Sequence, residues 1–119
     1  MGQKSRKQAL ESLVLLNVPV EEAVAALQAY PWDCEQELVV LTPTHMLSVF
    51  NRFLSGELSP EDLHRWAESL ESRDDLGLQA ADQEVLQSML FCLTTPEINE
   101  PISPELIVRL RDELANIAA

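Results

Sequence analysis

Glu61 and His64 have the Glu-x-x-His spacing that helical di-iron proteins use to bind metal. Those proteins need two such pairs and two further carboxylates that point into a helical bundle, and this chain has one pair. On a helical wheel Glu61, His64 and Glu68 lie opposite the apolar side of their predicted helix, so we expect them to face solvent. The sequence therefore predicts no bound metal and no cofactor.

The chain also lacks the residue sets that enzymes use for covalent catalysis. A nucleophilic Ser or Cys needs a base that a third group orients, but the two histidines, His45 and His64, are both predicted on polar helix faces. The sequence contains no G-x-S-x-G elbow and no glycine-rich phosphate loop. Adjacent acids such as Asp74 and Asp75 are expected to stay ionised rather than to transfer protons. The sequence therefore predicts that the protein is not an enzyme.

Two amphipathic helices form the centre of the predicted fold, as a helix hairpin over residues 43–73. Thr42 and Ser59 are the predicted N-caps, and each precedes a proline at the first helical position. Gly56 suits the left-handed conformation that commonly ends a helix. Apolar residues recur at helical spacing behind both caps, which predicts one buried face on each helix. The predicted core includes Phe50, Phe53, Leu63, Trp66, Leu70, Met89, Leu90 and Leu110.

The remainder of the chain is predicted to pack around this hairpin. No segment shows sustained strand alternation, and 119 residues are the size of one ordinary domain. We therefore predict an all-α single domain over residues 1–119, a bundle of about six helices. Residues 1–41 are predicted as a subregion of three short helices, and residues 42–119 as the main bundle. The further helices are expected over 5–17, about 20–29, a short segment capped by Asp33, 83–93, and from Ser103 onwards.

Acidic residues are concentrated in one part of this chain. The formal net charge is -12, and residues 57–84 hold nine acids and two arginines, a net of -7. A field of this sign attracts basic partners and repels nucleic-acid phosphates. The alternative is that these charges only keep the outer helix faces soluble. The acids predicted to bind a partner are Glu57, Glu61, Asp62, Glu68, Glu71, Asp74 and Asp75.

We therefore expect a non-enzymatic module that binds a basic protein, as small acidic immunity proteins bind nuclease toxins. The hairpin is not expected to bind DNA, because its second helix exposes mainly acids. The alternative is a structural subunit or homo-oligomer that uses apolar contacts near Leu16, Tyr30 and Trp32. No apolar run is long enough to span a bilayer, and Cys34 and Cys92 lack zinc or disulfide spacing, which favours a cytoplasmic protein without membrane contact.

Two resemblances add expectations. The stretches FNRFLSGELSPEDLHRWAESLESRDDLGL and LFCLTTPEINEPISPE, within residues 50–105, resemble a group of small bacterial all-helical proteins of uncharacterised function. That resemblance implies a bacterial origin and supplies no activity. Residues 9–42, with EEAVAAL in the second helix, resemble the ubiquitin-associated-like three-helix module, although Leu16-Asn17-Val18 stands in place of its Met-Gly-aromatic loop. This resemblance implies Leu16, Val18 and the end of the third helix as contacts; the alternative is that they only fill the core.

Overall fold

The computed structural model describes residues 5–31, 33–71, 73–98 and 100–118. Six α-helices make up most of this described part of the chain, together with a 3-10 turn and two three-residue strands. The predicted all-α, single-domain fold of about six helices is therefore confirmed. The helices and strands are α1 (Arg6–Leu15), α2 (Val20–Leu27), β1 (Val39–Leu41), α3 (Pro43–Leu54), α4 (Pro60–Leu70), β2 (Leu76–Leu78), the 3-10 turn (Ala80–Asp82), α5 (Gln83–Thr94) and α6 (Pro104–Ala118).

Serine or threonine side chains cap the N-termini of α3, α4 and α6, as predicted. At α4 the Ser59 hydroxyl accepts the Asp62 N–H at 3.1 Å, and the Asp62 carboxylate accepts the Ser59 N–H at 2.9 Å, which completes a capping box. The Ser103 hydroxyl accepts the N–H of Leu106 at 3.2 Å at the start of α6. Gly56 follows α3 with a φ of 90°, the positive φ that its position required. These local signals therefore predicted the starts of α3, α4 and α6 correctly.

The two helices of the predicted hairpin are present, but each packs mainly on another helix. α3 lies against α6 and α4 lies against α5, while α3 and α4 share few contacts. All eight predicted core residues are buried. Trp66 is fully buried, and its indole N–H donates to the Leu13 carbonyl oxygen at 2.8 Å, which joins α4 to α1. In the described residues, no helix has both the length and the apolar character needed to cross a membrane.

A small parallel sheet replaces one predicted helix. The prediction of a third short helix after Asp33 is wrong, because residues 33–38 are irregular and Val39–Leu41 form strand β1. In the register of the sheet, Val39 lies opposite Leu76 in β2. The Val39 N–H also donates to the Asp75 carbonyl oxygen at 3.3 Å. The sheet therefore holds the segment around Asp75 against the N-terminal part of the chain.

His45 caps α3 in a way that depends on its protonation state. Its backbone N–H donates to the Thr42 hydroxyl at 3.3 Å, and its Nδ1 accepts the Thr42 N–H at 3.1 Å. A ring nitrogen that accepts a hydrogen bond carries no proton, so the capping box requires the neutral imidazole with its proton on Nε2. Burial lowers the pKa of His45 from its ordinary value of 6.5. The folded protein therefore favours the neutral ring.

Acid should weaken this cap, because protonation of the imidazole removes its acceptor. Because the pKa of His45 is lower in the folded chain than in the unfolded chain, its contribution is complete above about pH 6.5 and is lost as pH falls through the folded pKa. The variant His45→Gln keeps an acceptor that does not titrate. We expect it to match the wild type at pH 7.5 and to become more stable than the wild type at lower pH, by about 1 kcal/mol at most.

Urea unfolding of both proteins between pH 7.5 and pH 5 measures this difference. His64→Gln is the matched control, since it removes the chain's other histidine and leaves the Thr42 box intact. A stability difference between His45→Gln and the wild type that stays constant with pH would show that His45 does not accept from Thr42.

Candidate acidic binding surface

The outer side of α4 carries a row of carboxylates. Glu61 and Glu68 are both exposed, and seven residues correspond to about two helical turns, so they lie on one side of the helix about 10 Å apart. Glu71 is the C-cap residue of α4, and Asp74 is exposed in the turn that precedes β2. We call Glu61, Glu68, Glu71 and Asp74 the acidic surface. The opposite side of α4 is buried, so the core fixes the direction in which these acids point.

Arginines do not neutralise this surface within the described part of the chain. Arg65 lies between Glu61 and Glu68 on α4, but its guanidinium is 3.5 Å from Glu21 on α2. The other arginines are also paired with acids outside the acidic surface. The described arginine pairs are Arg6–Asp75, Arg52–Glu57, Arg65–Glu21, Arg73–Asp75, Arg109–Glu100 and Arg111–Asp112. The Nε2 of His64 lies 3.4 Å from a carboxylate oxygen of Glu68. No arginine of the described residues compensates these four acids, so the acidic surface keeps a negative field.

Two of the predicted partner-binding acids already have intramolecular roles. The carboxylate of Asp62 completes the α4 capping box, so its charge stabilises the helix N-terminus. Glu57 pairs with Arg52, whose guanidinium also donates to the Leu16 carbonyl oxygen at 2.7 Å. Both acids remain near the surface, but part of their charge is already compensated. We therefore do not include Glu57 and Asp62 in the acidic surface.

The prediction that Asp75 belongs to an exposed acidic face is wrong. Its side chain is fully buried, and its two carboxylate oxygens accept three hydrogen bonds. The Nε of Arg6 donates at 2.8 Å, and the Nε and one terminal nitrogen of Arg73 donate at 2.9 Å each. Arg6 also donates to the carbonyl oxygens of Pro31 and Asp33. Asp75 is therefore the centre of a structural cluster that joins α1, the carbonyl groups of Pro31 and Asp33, and the start of β2.

The charge state of Asp75 follows from this cluster. Burial by itself would raise the pKa of its carboxyl group, but the hydrogen bonds from Arg73 and Arg6 outweigh burial and lower that pKa below its ordinary value of 3.8. The same hydrogen bond raises the pKa of Arg6, so both groups stay charged. Asp75 therefore contributes no free charge to the acidic surface.

An apolar hollow lies beside the acidic surface, between α2 and the end of α4. This hollow A has a volume of about 510 Å³, and Val24, Leu27 and Tyr30 contribute its apolar wall. Glu68 and Glu71 lie on its α4 side. Tyr30 is half-buried, as its neighbour Val24 is. Part of the apolar region named in the alternative prediction therefore adjoins the predicted acids.

A second hollow lies between β2 and α5. This hollow B has a volume of about 640 Å³, and its apolar wall contains Leu76, Leu78 and Phe91. The Phe91 side chain is 47% exposed, which is high for a large aromatic residue. Glu71 and Arg73 line hollow B as well as hollow A, so the two hollows meet at these residues. Neither hollow could be predicted from the sequence, because the shape of each depends on how its elements pack in the fold.

The other predicted apolar contacts have different outcomes. Leu16 is 2% exposed, so the prediction that it offers an exposed contact is wrong. It ends α1 in the left-handed conformation, with a φ of 48°, and its side chain belongs to the core. Val18 is half-buried and packs against the same core. Trp32 lies outside the described residues. Among the described members of that set, Val18 and Tyr30 are therefore each half-buried and partly accessible.

The residues considered for chemistry are engaged in packing or are far from a catalytic arrangement. His64 is about one-third exposed rather than fully solvated, and its Nδ1 lies 2.9 Å from the Leu93 carbonyl oxygen. Cys34 and Cys92 are free and partly buried, and burial raises the pKa of Cys92, which disfavours its thiolate. Across the described part of the chain, no three His, Cys, Asp or Glu side chains are grouped to hold a metal ion.

Comparison of the chain with protein families, curated proteins and solved structures gives no match. Function is therefore inferred from the charge, the packing and the geometry of the chain itself.

Proposed function

We propose that this protein is a non-enzymatic binding module whose acidic surface takes a basic protein partner. One observation carries the proposal: Glu61 and Glu68 lie on the outer side of α4, Glu71 and Asp74 follow at its C-cap and in the next turn, and no arginine of the described residues pairs with any of them. These four carboxylates repel one another, and a partner with a complementary basic patch would relieve that repulsion when it binds. A nuclease that an acidic immunity protein inhibits is one partner of this chemistry.

The physical advantage of such a surface is mainly kinetic. Clustered charges of one sign steer an oppositely charged protein and raise its association rate by about 10 to 1000-fold at low salt. Added salt shortens the screening length from about 10 Å at 0.1 M to about 3 Å at 1 M, so this advantage falls with ionic strength. An oligomer held by apolar contacts would not show that dependence. Salt therefore separates the proposed function from the structural alternative.

Removal of three charges tests the proposal. A partner captured from a lysate of the source cells supplies the probe, and stopped-flow mixing gives its association rate from 0.05 to 1 M salt. The test variant combines Glu61→Gln, Glu68→Gln and Asp74→Asn. We expect it to associate at least about tenfold more slowly than the wild type at the lowest salt, and about equally at 1 M.

A second variant controls for the total charge. Glu11→Gln, Glu105→Gln and Glu113→Gln remove the same three charges from exposed positions on α1 and α6. We expect this control to retain most of the wild-type rate, because its charges lie on other helices. If both variants slowed association equally, net charge rather than the acidic surface would be responsible. If neither did, the structural alternative would gain support.

A further inference from the structure

The two hollows give the acidic surface a specific shape. Hollow A and hollow B adjoin each other, since Glu71 and Arg73 line both. Each hollow has an apolar wall, with Val24 and Tyr30 in hollow A and Phe91 in hollow B. Pockets that receive apolar anchors next to paired charges are typical of protein-recognition sites.

Of the two charged residues at the junction of the hollows, Arg73 is paired with an opposite charge and Glu71, within the described part of the chain, is not. Arg73 is one-tenth exposed, and it donates two hydrogen bonds to Asp75, so its positive charge is compensated by a buried carboxylate. Glu71 has no such cation in the described residues. The Thr94 hydroxyl lies 3.4 Å from one of its carboxylate oxygens, which is a weak hydrogen bond. A cation from outside would therefore be favoured at Glu71.

Further carboxylates surround the two hollows. Glu68 lies at the border of hollow A, and Glu37 and Glu84 lie at the border of hollow B. Glu84 belongs to the first turn of α5, and Glu37 lies in the irregular segment before β1. An apolar segment with acidic residues would be repelled here, and a purely basic segment would leave both apolar walls in water. The surface is therefore complementary to a segment that contains both apolar and basic residues.

We propose that hollows A and B form one bipartite groove for a segment of the basic partner. The segment has two apolar anchor side chains, one for each hollow, and a Lys or Arg between them that pairs with Glu71. This assignment rests on the proposed function and deepens it by naming the kind of segment that binds. The acidic surface sets the association rate, and the anchors slow dissociation by burying apolar area.

A displayed library of random 16-residue peptides, selected on the wild-type protein, tests the groove. We expect the selected peptides to share a Lys or Arg flanked on both sides by large apolar residues. On the wild-type protein, replacing either apolar residue by Ser should weaken binding at least tenfold. This measurement needs no change in the protein, so it does not depend on how any variant folds.

Filling the hollows gives the complementary measurement. Ser69 lines hollow A and Ser88 lines hollow B, so Ser69→Trp and Ser88→Trp should each occupy one hollow. Ser48 is exposed on α3 and lines neither hollow, and Ser48→Trp is the matched control. We expect the selected peptides to bind the first two variants at least tenfold more weakly and the control as tightly as the wild type. Circular dichroism confirms that each variant is folded.

A double-mutant cycle tests the role of Glu71. Replacing the central Lys or Arg of a selected peptide by norleucine should weaken binding to the wild type by about tenfold or more, and should have little effect on binding to Glu71→Gln. Equal losses on both proteins would overturn the assignment of Glu71.

The outcomes of these measurements distinguish failure of the groove proposal from failure of the proposed function. Basic peptides that bind both hollow-filling variants as tightly as the wild type would overturn the groove and leave the acidic surface intact. Selected peptides without any preference for Lys or Arg would overturn both the groove and the proposed function.

Discussion

Replacing Asp75 with Ala should lower the free energy of unfolding by about 3 to 5 kcal/mol, because it removes one partner of a buried, hydrogen-bonded ion cluster. Asp75 is fully buried, and Arg73 and Arg6 keep only 10% and 20% of their side chains exposed. Without the carboxylate these two guanidinium groups would face each other across the vacated site. Their repulsion and lost hydrogen bonds add to the cost of the substitution.

The neighbouring acid provides a matched control. Asp74 is exposed in the same turn and pairs with no arginine of the described residues, so Asp74→Ala should leave the stability almost unchanged. Urea unfolding at pH 7 measures both variants. Equal stabilities of Asp75→Ala and Asp74→Ala would show that the cluster does not hold the fold together.

The cluster should also contribute to acid unfolding. Because hydrogen bonds from the arginines hold the pKa of Asp75 below its ordinary value of 3.8, its stabilisation is present above that value and is lost as pH falls through the lower, folded pKa. In Asp75→Asn this part of the pH dependence should be absent. The wild type should therefore lose more stability than Asp75→Asn when the pH is lowered below about 4.

The helix starts could be predicted from the sequence because their causes are local. The N-caps Thr42, Ser59 and Ser103 are each followed by a proline, and each cap forms its hydrogen bond within three residues along the chain. The buried side of α4 could also be predicted, since its apolar residues recur at helical spacing. Such signals depend only on neighbours in sequence, so no knowledge of the tertiary fold was needed.

The parallel sheet could not be predicted in the same way. Each strand has three residues, which is too short to show alternation, and β2 contains Gly77, a residue that is uncommon within strands. The strands pair across a separation of 37 residues, Val39 with Leu76. The β-branched residues Val39 and Val40 were the only local signal. A helix was predicted there because an apolar run behind a candidate cap fits either structure.

The acidic surface was predicted only in part, for a related physical reason. The composition of residues 57–84 revealed the concentration of acids, but not which of them find partners in the fold. Asp74 and Asp75 are adjacent in a polar turn, yet one is exposed and the other is buried. The difference comes from Arg6, which is 69 residues away from Asp75 in sequence. Burial of a charge by distant arginines leaves no local pattern.

Trp66→Ala should cost about 3 to 5 kcal/mol of stability, the range for removal of a large aromatic side chain from a packed core. Among the described residues Trp66 is the largest fully buried side chain, and it lies on α4, which contacts α1, α2 and α5. Little relaxation is expected, because these helices approach α4 from different sides. The resulting cavity should therefore stay largely open.

The indole N–H of Trp66 makes a second, smaller contribution to the stability of the fold. Its N–H donates to the Leu13 carbonyl oxygen in α1, at 2.8 Å, and that oxygen also accepts the Leu16 N–H at 3.3 Å. Trp66→Phe keeps an aromatic ring and removes this donor, so it should cost less than Trp66→Ala. Because the Leu13 oxygen retains one partner, the hydrogen bond itself should contribute about 1 kcal/mol.

Phe91→Ala is the control for loss of an aromatic side chain, since Phe91 is about half exposed on α5. Urea unfolding should show Trp66→Ala as the most destabilised of the three variants, because it removes the most buried apolar area. The slope of the unfolding free energy against urea should stay the same in all three, since the substitutions leave the extent of the fold intact. An unfolding midpoint for Trp66→Ala equal to that of the wild type would mean that α4 does not form the centre of the core, and the acids on its outer side would lose the support that fixes their direction.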